Sequence, residues 1–439
     1  MLLIKKYPME TQKPLTKLKI FSLNGVQMRT FHITWLMFFV CFFGWFGLAP
    51  LMPTIRAELD LSKAQVGNII IASVASTILA RLLVGKLCDI FGPRKTAVWL
   101  LLVGSIPVIT VGLANSYETF LLFRLAIGVI GASFVITQYH TSMMFAPNIK
   151  GTANAVTGGW GNLGGGVTNM AMPIIFAAIV GFGYTSAEAW RYAMVIPAIM
   201  MWLTAILYWK GTKDTPRGNF DEIGHSKKEA QKTDWSVLAD WRVWALTLAY
   251  AMCFGMEITF DNIAALHFVD TFGLSQANAG FWAGVFGLMN LFARALGGVV
   301  SDKVGVKFGM RGKGMLLALM LLLEGCGLIL FAHAGSFVFA IISMLTFALF
   351  LKMSNGATYG MVPFVNEKNV GLISGIVGAG GNLGGMALGF LFKSDSISYA
   401  QAFTYIAYAI IVVSVFIFIT RFNAKEELDP EKLLYDFTE

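Results

Sequence analysis

Gly158-Gly159-Trp160-Gly161-Asn162-Leu163-Gly164-Gly165-Gly166, "GGWGNLGGG", contains a literal G-x-G-x-x-G. Such a run grips a pyrophosphate only where it joins a strand to a helix in a soluble βαβ unit. Its surroundings exclude that context: no strand pattern precedes Gly159, and the glycines lie inside a long apolar run, 152–181. The whole chain has the same character. Of its 439 residues, 56% are hydrophobic and 13% charged, with a mean hydropathy of +0.67, whereas soluble domains carry about 25% charged residues. A chain this apolar, with charges gathered in short clusters, is a polytopic membrane protein.

Net charge is +8, but the lysines and arginines fall between apolar runs. Their basicity is therefore a topology signal and a contact with anionic lipid, not a nucleic-acid surface. Cys41, Cys88, Cys253 and Cys326 each stand alone, so no metal site, cofactor or disulfide framework is expected. Runs able to cross a hydrocarbon core ~30 Å thick number twelve, from 31–52 through 277–301 and 314–333 to 399–420. The expected organisation is an N-terminal segment 1–30, a six-helix bundle 31–209, a polar linker 210–240, a second bundle 241–420 and a tail 421–439. Lys5, Lys6, Lys13, Lys17, Lys19, Arg29, Arg94, Lys95, Lys150, Lys303, Lys307, Arg311, Lys313, Lys368 and Lys425 fall on one side, with the linker's Lys210, Lys213, Arg217, Lys227, Lys228 and Lys232. Only Arg56, Lys63, Arg191 and Lys393 fall on the other, which puts both termini in the cytoplasm.

The chain repeats itself. Arg81, Gly85 and Asp89 in "RLLVGKLCD" recur as Arg294, Gly298 and Asp302 in "RALGGVVSD", each 213 positions on (294−81, 298−85, 302−89). "GWGNLGG" at 159–165 has its partner in "GGNLGG" at 380–385, with Asn162 and Asn382 offset by 220 (382−162). Two parallel six-span repeats around a midplane site describe an all-α transporter with twelve transmembrane helices.

Those residues also carry a resemblance. "GKLCDIFGPRK" at 85–95 resembles the G-x-x-x-D-[RK]-x-G-[RK]-[RK] loop of the major facilitator superfamily, with Ile90 where a basic residue is usual. The paired glycine–asparagine stretches resemble the two signatures of its nitrate/nitrite porter family. "FHITW" at 31–35, "ASFVITQYHTSMMF" at 132–145, "CFGMEITFDN" at 253–262 and "GMVPFV" at 360–365 are similar to the eukaryotic-type high-affinity nitrate transporters. The resemblance implies that Arg81 and Arg294 bind the anion, that Asn162, Asn382, Gly161 and Gly381 line the site, and that Tyr250 and Phe254 pack around it. It implies alternating access, with Arg94 in a loop that serves the rocking of helices and Asp89 and Asp302, at helix ends, as latches between the halves that break and re-form, and a transporter of nitrate, with nitrite as a second candidate, rather than an enzyme. A nitrate/nitrite exchanger and a membrane nitrate sensor are the rivals, although neither the linker nor the tail is large enough for an output domain.

The residue chemistry agrees. An arginine inside the hydrocarbon costs at least ~3 kcal/mol unless paired or solvated, and two in register, eight residues before an aspartate, point to a ligand. Guanidinium is a planar fork of donors, which suits a planar, three-oxygen anion as a lysine does not. Small residues four apart also let membrane helices pack closely, so the glycine stretches serve packing whether or not they also serve binding. His140 and His267 read as structural; Arg124 with Gly128 resembles the superfamily's fourth-span R-x-x-x-G, with an ion pair near the outer surface as the open alternative. Anion import against an inside-negative potential costs ~2.3 kcal/mol per 100 mV, so a proton is the expected coupling ion. Glu257, helped by Asp261, is the candidate carrier: its counterpart in the first half is Gly44 (257−213). A structural ion pair between Glu257 and the unplaced Lys352 is the open alternative. A monomer in the plasma membrane is expected.

Overall fold

The computed structural model describes residues 13–223, 235–366 and 370–422. Lys5, Lys6, Lys227, Lys228, Lys232, Lys368, Lys425 and the tail beyond 422 lie outside the described residues. Without water in the hydrocarbon, each backbone N–H and C=O must be satisfied within its own segment, which leaves helices as the spanning element. The first half comprises α1 (Gly25–Phe46), α2 (Met52–Glu58), α3 (Lys63–Phe91), α4 (Pro93–Thr110), α5 (Tyr117–Gly128), α6 (Ser133–Met144), α7 (Pro147–Gly181), α8 (Ser186–Ala193) and α9 (Val195–Gly211). The second comprises α10 (Trp241–Phe272), α11 (Gln276–Leu288), α12 (Ala293–Ala332), α13 (Phe337–Met361), α14 (Val370–Gly389) and α15 (Tyr399–Ile419).

Eleven helical stretches among the described residues are long and apolar enough to cross a membrane, and one of them, Gln276–Ala332, has 57 residues. It breaks at Gly309, whose φ of 63° and ψ of −163° belong to a region that only glycine enters freely. The stretch therefore holds two crossings, and the expected twelve are present.

The repeat extends into the helix caps. Ser62, Ser116 and Thr185 open α3, α5 and α8 by accepting a backbone N–H with their side chains, a bond that satisfies one of the four orphan donors of a helix start. Ser275, Ser336 and Ser398 do the same for α11, α13 and α15. Their offsets, 213 (275−62), 220 (336−116) and 213 (398−185), are those of the arginines and asparagines. All six caps lie at one end of the bundle. The opposite end carries Arg94, Lys95, Lys313 and the linker, and is called the basic end below.

The linker is more than a tether. Asp214 accepts from Arg94 N (2.8 Å) and Phe220 N (3.1 Å), so its carboxylate caps α4 from outside the helix. Gly92, at φ 85°, makes room for it: a Cβ there would lie 2.6 Å from the Asp214 carboxyl carbon. Lys95 pairs with Asp221 at 2.5 Å, and His140 joins Tyr208 (2.6 Å) to the Lys213 carbonyl (2.7 Å). Burial raises the Asp214 carboxyl above its ordinary range, while Lys213 and the Asn219 backbone lower Glu222 to about 2.

The halves meet at the capped end. Arg56 makes two bonds to Asp270, 2.7 and 2.6 Å, Tyr399 donates to the same carboxylate, Thr54 bonds to Gln276, and Lys63 bonds to the Ile397 carbonyl. Further in, a Cβ on Gly166 of α7 would lie 2.7 Å from the backbone of Gly287 on α11. Among the described residues, hydrogen bonds between the halves reach inward as far as Arg81 and Gly378, and none lies on the basic side of that level. The hydrogen bonds between the halves are thus gathered at the capped end and the middle of the bundle.

Candidate functional site

Arg81 stands on α3 ten residues before its end at Phe91 (91−81), ~15 Å up the helix. Arg294 stands at the start of α12, where the chain re-enters the helix after the turn Met289–Leu291. Gly356 on α13 allows this approach, because a Cβ there would overlap the Arg294 carbonyl. Both arginines are buried, 8% and 5% exposed, one from each half. The Phe254 ring centroid is 5.9 Å from each guanidinium carbon, so those carbons lie no more than twice 5.9 Å apart. Phe134 covers Arg81 at 5.2 Å, Tyr250 stacks on Phe254 at 5.0 Å and 3°, and the Tyr359 edge meets Tyr250 at 4.8 Å. Two cations thus face an aromatic box, where cation–π attraction of about 2 kcal/mol when desolvated offsets part of their burial.

The two arginines are not equally engaged. Arg81 donates to the Gly378 carbonyl at 2.9 Å. The Asn382 amide, with its orientation assigned from the hydrogen bonds, accepts from Arg81 Nε at 3.0 Å and Nη1 at 2.6 Å. Arg294 donates from Nη2 to the Tyr250 hydroxyl at 2.8 Å, while its Nη1 has no partner. Asn162 is buried and neither amide atom is bonded. A buried polar group left unpaired costs about 1–3 kcal/mol. These unpaired groups are donors and an amide, the chemistry that receives an oxyanion.

The signature glycines chiefly bring helices together. A Cβ on Gly161 would overlap the Phe38 ring of α1, one on Gly381 would lie 2.6 Å from Tyr250 and 2.8 Å from Phe254, and one on Gly384 would overlap the Ala251 carbonyl. Gly161 thus faces α1, whereas Gly381 seats the aromatic pair. Gly378 opens onto the site, since its Cβ would lie 2.9 Å from the Tyr359 hydroxyl and 3.5 Å from Arg81 Nη1.

Lys352 acquires a partner: its Nζ is 2.7 Å from Glu257 Oε1. Glu257 also accepts from Asn290 (2.8 Å) and Asn355 (2.6 Å), and the ammonium sits 4.2 Å over the Phe286 ring. Asp261 is buried one turn further along α10, beside Gly165 of the other half, with Oδ1 unbonded. Glu324 on α12 is a third buried carboxyl in this half, with both oxygens unbonded. Sequence reading passed over it, although a lone glutamate in the apolar run 314–333 was itself a signal. Phe134, Tyr359, Asn290 and Asn355 were also missed, because only packing shows which way they face.

Three of the residues singled out in the sequence have partners that it did not name. Asp302 does not reach across the halves here; it pairs with Lys313 of its own half at 2.7 Å. Asp89 is exposed and lies beside Tyr139 of the same half, and Arg94 bonds to the Trp209 carbonyl and covers that ring at 4.1 Å. Arg124 forms no ion pair near the surface: it is buried, donating to the Trp45 carbonyl (3.0 Å) and, across the halves, to Asn262 (3.1 Å).

Paired six-helix halves with buried cations at their seam define a secondary transporter. The sequence model of the Major Facilitator Superfamily matches residues 34–389. The chain is 38% identical to High affinity nitrate transporter 2.5 of Arabidopsis thaliana over 397 residues, covering 89% of this chain and 78% of that one. It is 29% identical to the Nitrate/nitrite transporter NrtP of Picosynechococcus sp., covering 84% and 85%. A D-xylose–proton symporter shares the fold, with a TM-score of 0.70 at 15% identity over 92% of this chain and 100% of that one. The protein belongs to the nitrate/nitrite porter family of the major facilitator superfamily; it is an integral membrane transporter, as its relatives are, and not an enzyme.

Proposed function

We propose that this protein imports nitrate, and nitrite as a second substrate, across the plasma membrane as a monomer, by alternating access coupled to protons. The observation that carries the reading is the pair of buried arginines, one from each half, against the same Phe254 ring, with Arg294 Nη1 left without a partner. Relatives named as nitrate transporters supply the substrate. A planar nitrate lies between the two forks, and each half contributes one cation, so the anion draws the halves together. The domain boundaries proposed are 31–209 and 241–420 with a cytoplasmic linker between them. The basic end faces the cytoplasm, with both termini, and the state described is therefore open inward, with the Arg56–Asp270 pair closing the outside. Glu257 and Asp261, the candidate coupling carboxylates, belong to the second half alone.

Uptake of labelled nitrate into vesicles holding the purified protein, with and without a pH gradient, tests this. Uptake stimulated by an acidic exterior and competed by nitrite but not by chloride or organic anions is expected. Uptake that depends on internal nitrite and ignores the gradient would replace symport by exchange.

A further inference from the structure

Glu324 has no role in the anion site, yet among the described residues it is the buried carboxyl with neither oxygen bonded. It is fully buried, neither of its oxygens meets hydrogen-bond geometry, and the Ser354 hydroxyl beside it is the neighbour able to donate to it. The groups facing it are known from each packed helix. α13 brings Lys352 and Ser354, α10 brings Glu257 and Cys253, and α15 has no charged residue in 399–419. Lys352 is already paired with Glu257 at 2.7 Å. An ionised carboxylate without a partner in such a place carries a desolvation cost of several kcal/mol. Such a group takes up a proton unless a cation is free to meet it.

We propose that Glu324 is the proton-binding site of the transport cycle, and that the Glu257–Lys352 pair passes its charge state to the anion site. This rests on the nitrate reading above. Three carboxyls (Glu257, Asp261, Glu324) share the buried core of the second half with Lys352 and Arg294. An anion arriving at Arg294 withdraws positive potential from Glu257, which leans the more on Lys352 and leaves Glu324 the more in need of a proton. Anion and proton therefore favour each other's binding without contact, and by linkage the effect is equal in both directions. α13 connects the parts mechanically: Asn355 holds Glu257 at 2.6 Å, and its neighbour Ser354 stands at Glu324. Glu257 itself has every oxygen bonded, to Lys352, Asn290 and Asn355, which suits a relay better than a carrier. One nitrate and one proton move together, with no net charge.

The experiment measures two fluxes in vesicles of the wild type and Glu324→Gln: internal acidification on adding external nitrate, and exchange of labelled for unlabelled nitrate at equal pH. In the wild type both are present, and exchange slows as pH rises through the titration of the carboxyl. In Glu324→Gln acidification falls at least tenfold, exchange stays within about threefold, and its dependence on pH flattens. Acidification retained by Glu324→Gln overturns the proposal, as does a wild type that moves nitrate without protons. If Glu324→Gln loses exchange as well, Glu324→Asp decides: recovery of both fluxes supports a proton site, and recovery of neither shows that the side chain serves only the fold. A wild type that takes up no nitrate at all sinks the functional reading instead.

Discussion

The two halves share one plan and differ in charge. Their arginines, asparagines and six caps repeat at 213 or 220 positions, yet the first half buries no carboxyl in its described spans, whereas the second buries Glu257, Asp261 and Glu324 together with Lys352. The arginines differ accordingly. Arg81 of the first half is engaged by Asn382 and Gly378, both from the second half. Arg294 is tied only to Tyr250 of its own half and keeps Nη1 free. On the proposed reading, the symmetric elements build the anion site and the asymmetric ones couple it to a proton, so that a proton gradient can drive the anion.

The largest effect expected from disturbing this comparison is on the arginines. Arg81→Lys and Arg294→Lys keep the charge and lose the planar fork, with the loss of a charge-assisted bond worth about 1.5–3 kcal/mol. Transport in vesicles should fall at least tenfold for each, and near-normal rates would leave a purely electrostatic site. Next come the glycines. Gly161→Leu drives a side chain into Phe38 and Gly381→Leu into the Tyr250–Phe254 stack, and overpacking costs about 1–3 kcal/mol. Both should lower the unfolding temperature of the detergent-purified protein, with the Gly381 variant also losing nitrate affinity.

The asparagines should separate the halves. Asn162→Ala removes an amide with no other partner, so it should weaken nitrate affinity roughly five- to tenfold, the equivalent of about 1–1.4 kcal/mol, without loss of thermal stability. Asn382→Ala also frees the Arg81 guanidinium and should lower stability as well as affinity, a difference read by comparing melting curves with nitrate titrations. The smallest effect belongs to the closed end. Arg56 and Asp270 are partly exposed, and exposed pairs contribute about 0.2–1 kcal/mol. Asp270→Asn should therefore shift the balance of inward and outward states by no more than about fivefold, measured as spin-label distances between the outer ends of α2 and α11.

Much of this was legible in the sequence, for physical reasons. Apolar length marks the spans, and the price of a buried arginine marks Arg81 and Arg294 wherever they fall in the chain. The ninth span was readable from its apolar length, and the break at Gly309 separates it from the eighth. What stayed hidden depends on side-chain direction. Nothing in "GNLGG" tells that Asn382 accepts from Arg81 while Asn162 meets no partner. The partner of Asp302 was hidden because symmetry with Asp89 pointed across the halves, whereas Lys313 bonds to it from eleven residues away in the sequence (313−302). The linker's hold on α4 through Asp214 was likewise invisible, since a cap supplied from 120 residues away leaves no local pattern.

The central claim is that one anion is held by both arginines at once. Nitrate titrations of the purified wild type, Arg81→Lys, Arg294→Lys and the double variant, followed by calorimetry, test it most directly. Two groups that share one ligand lose their contributions non-additively. The account predicts that each single variant loses most of the binding and that the double variant is little worse than either. Independent, additive losses, or wild-type affinity in either single variant, would contradict it.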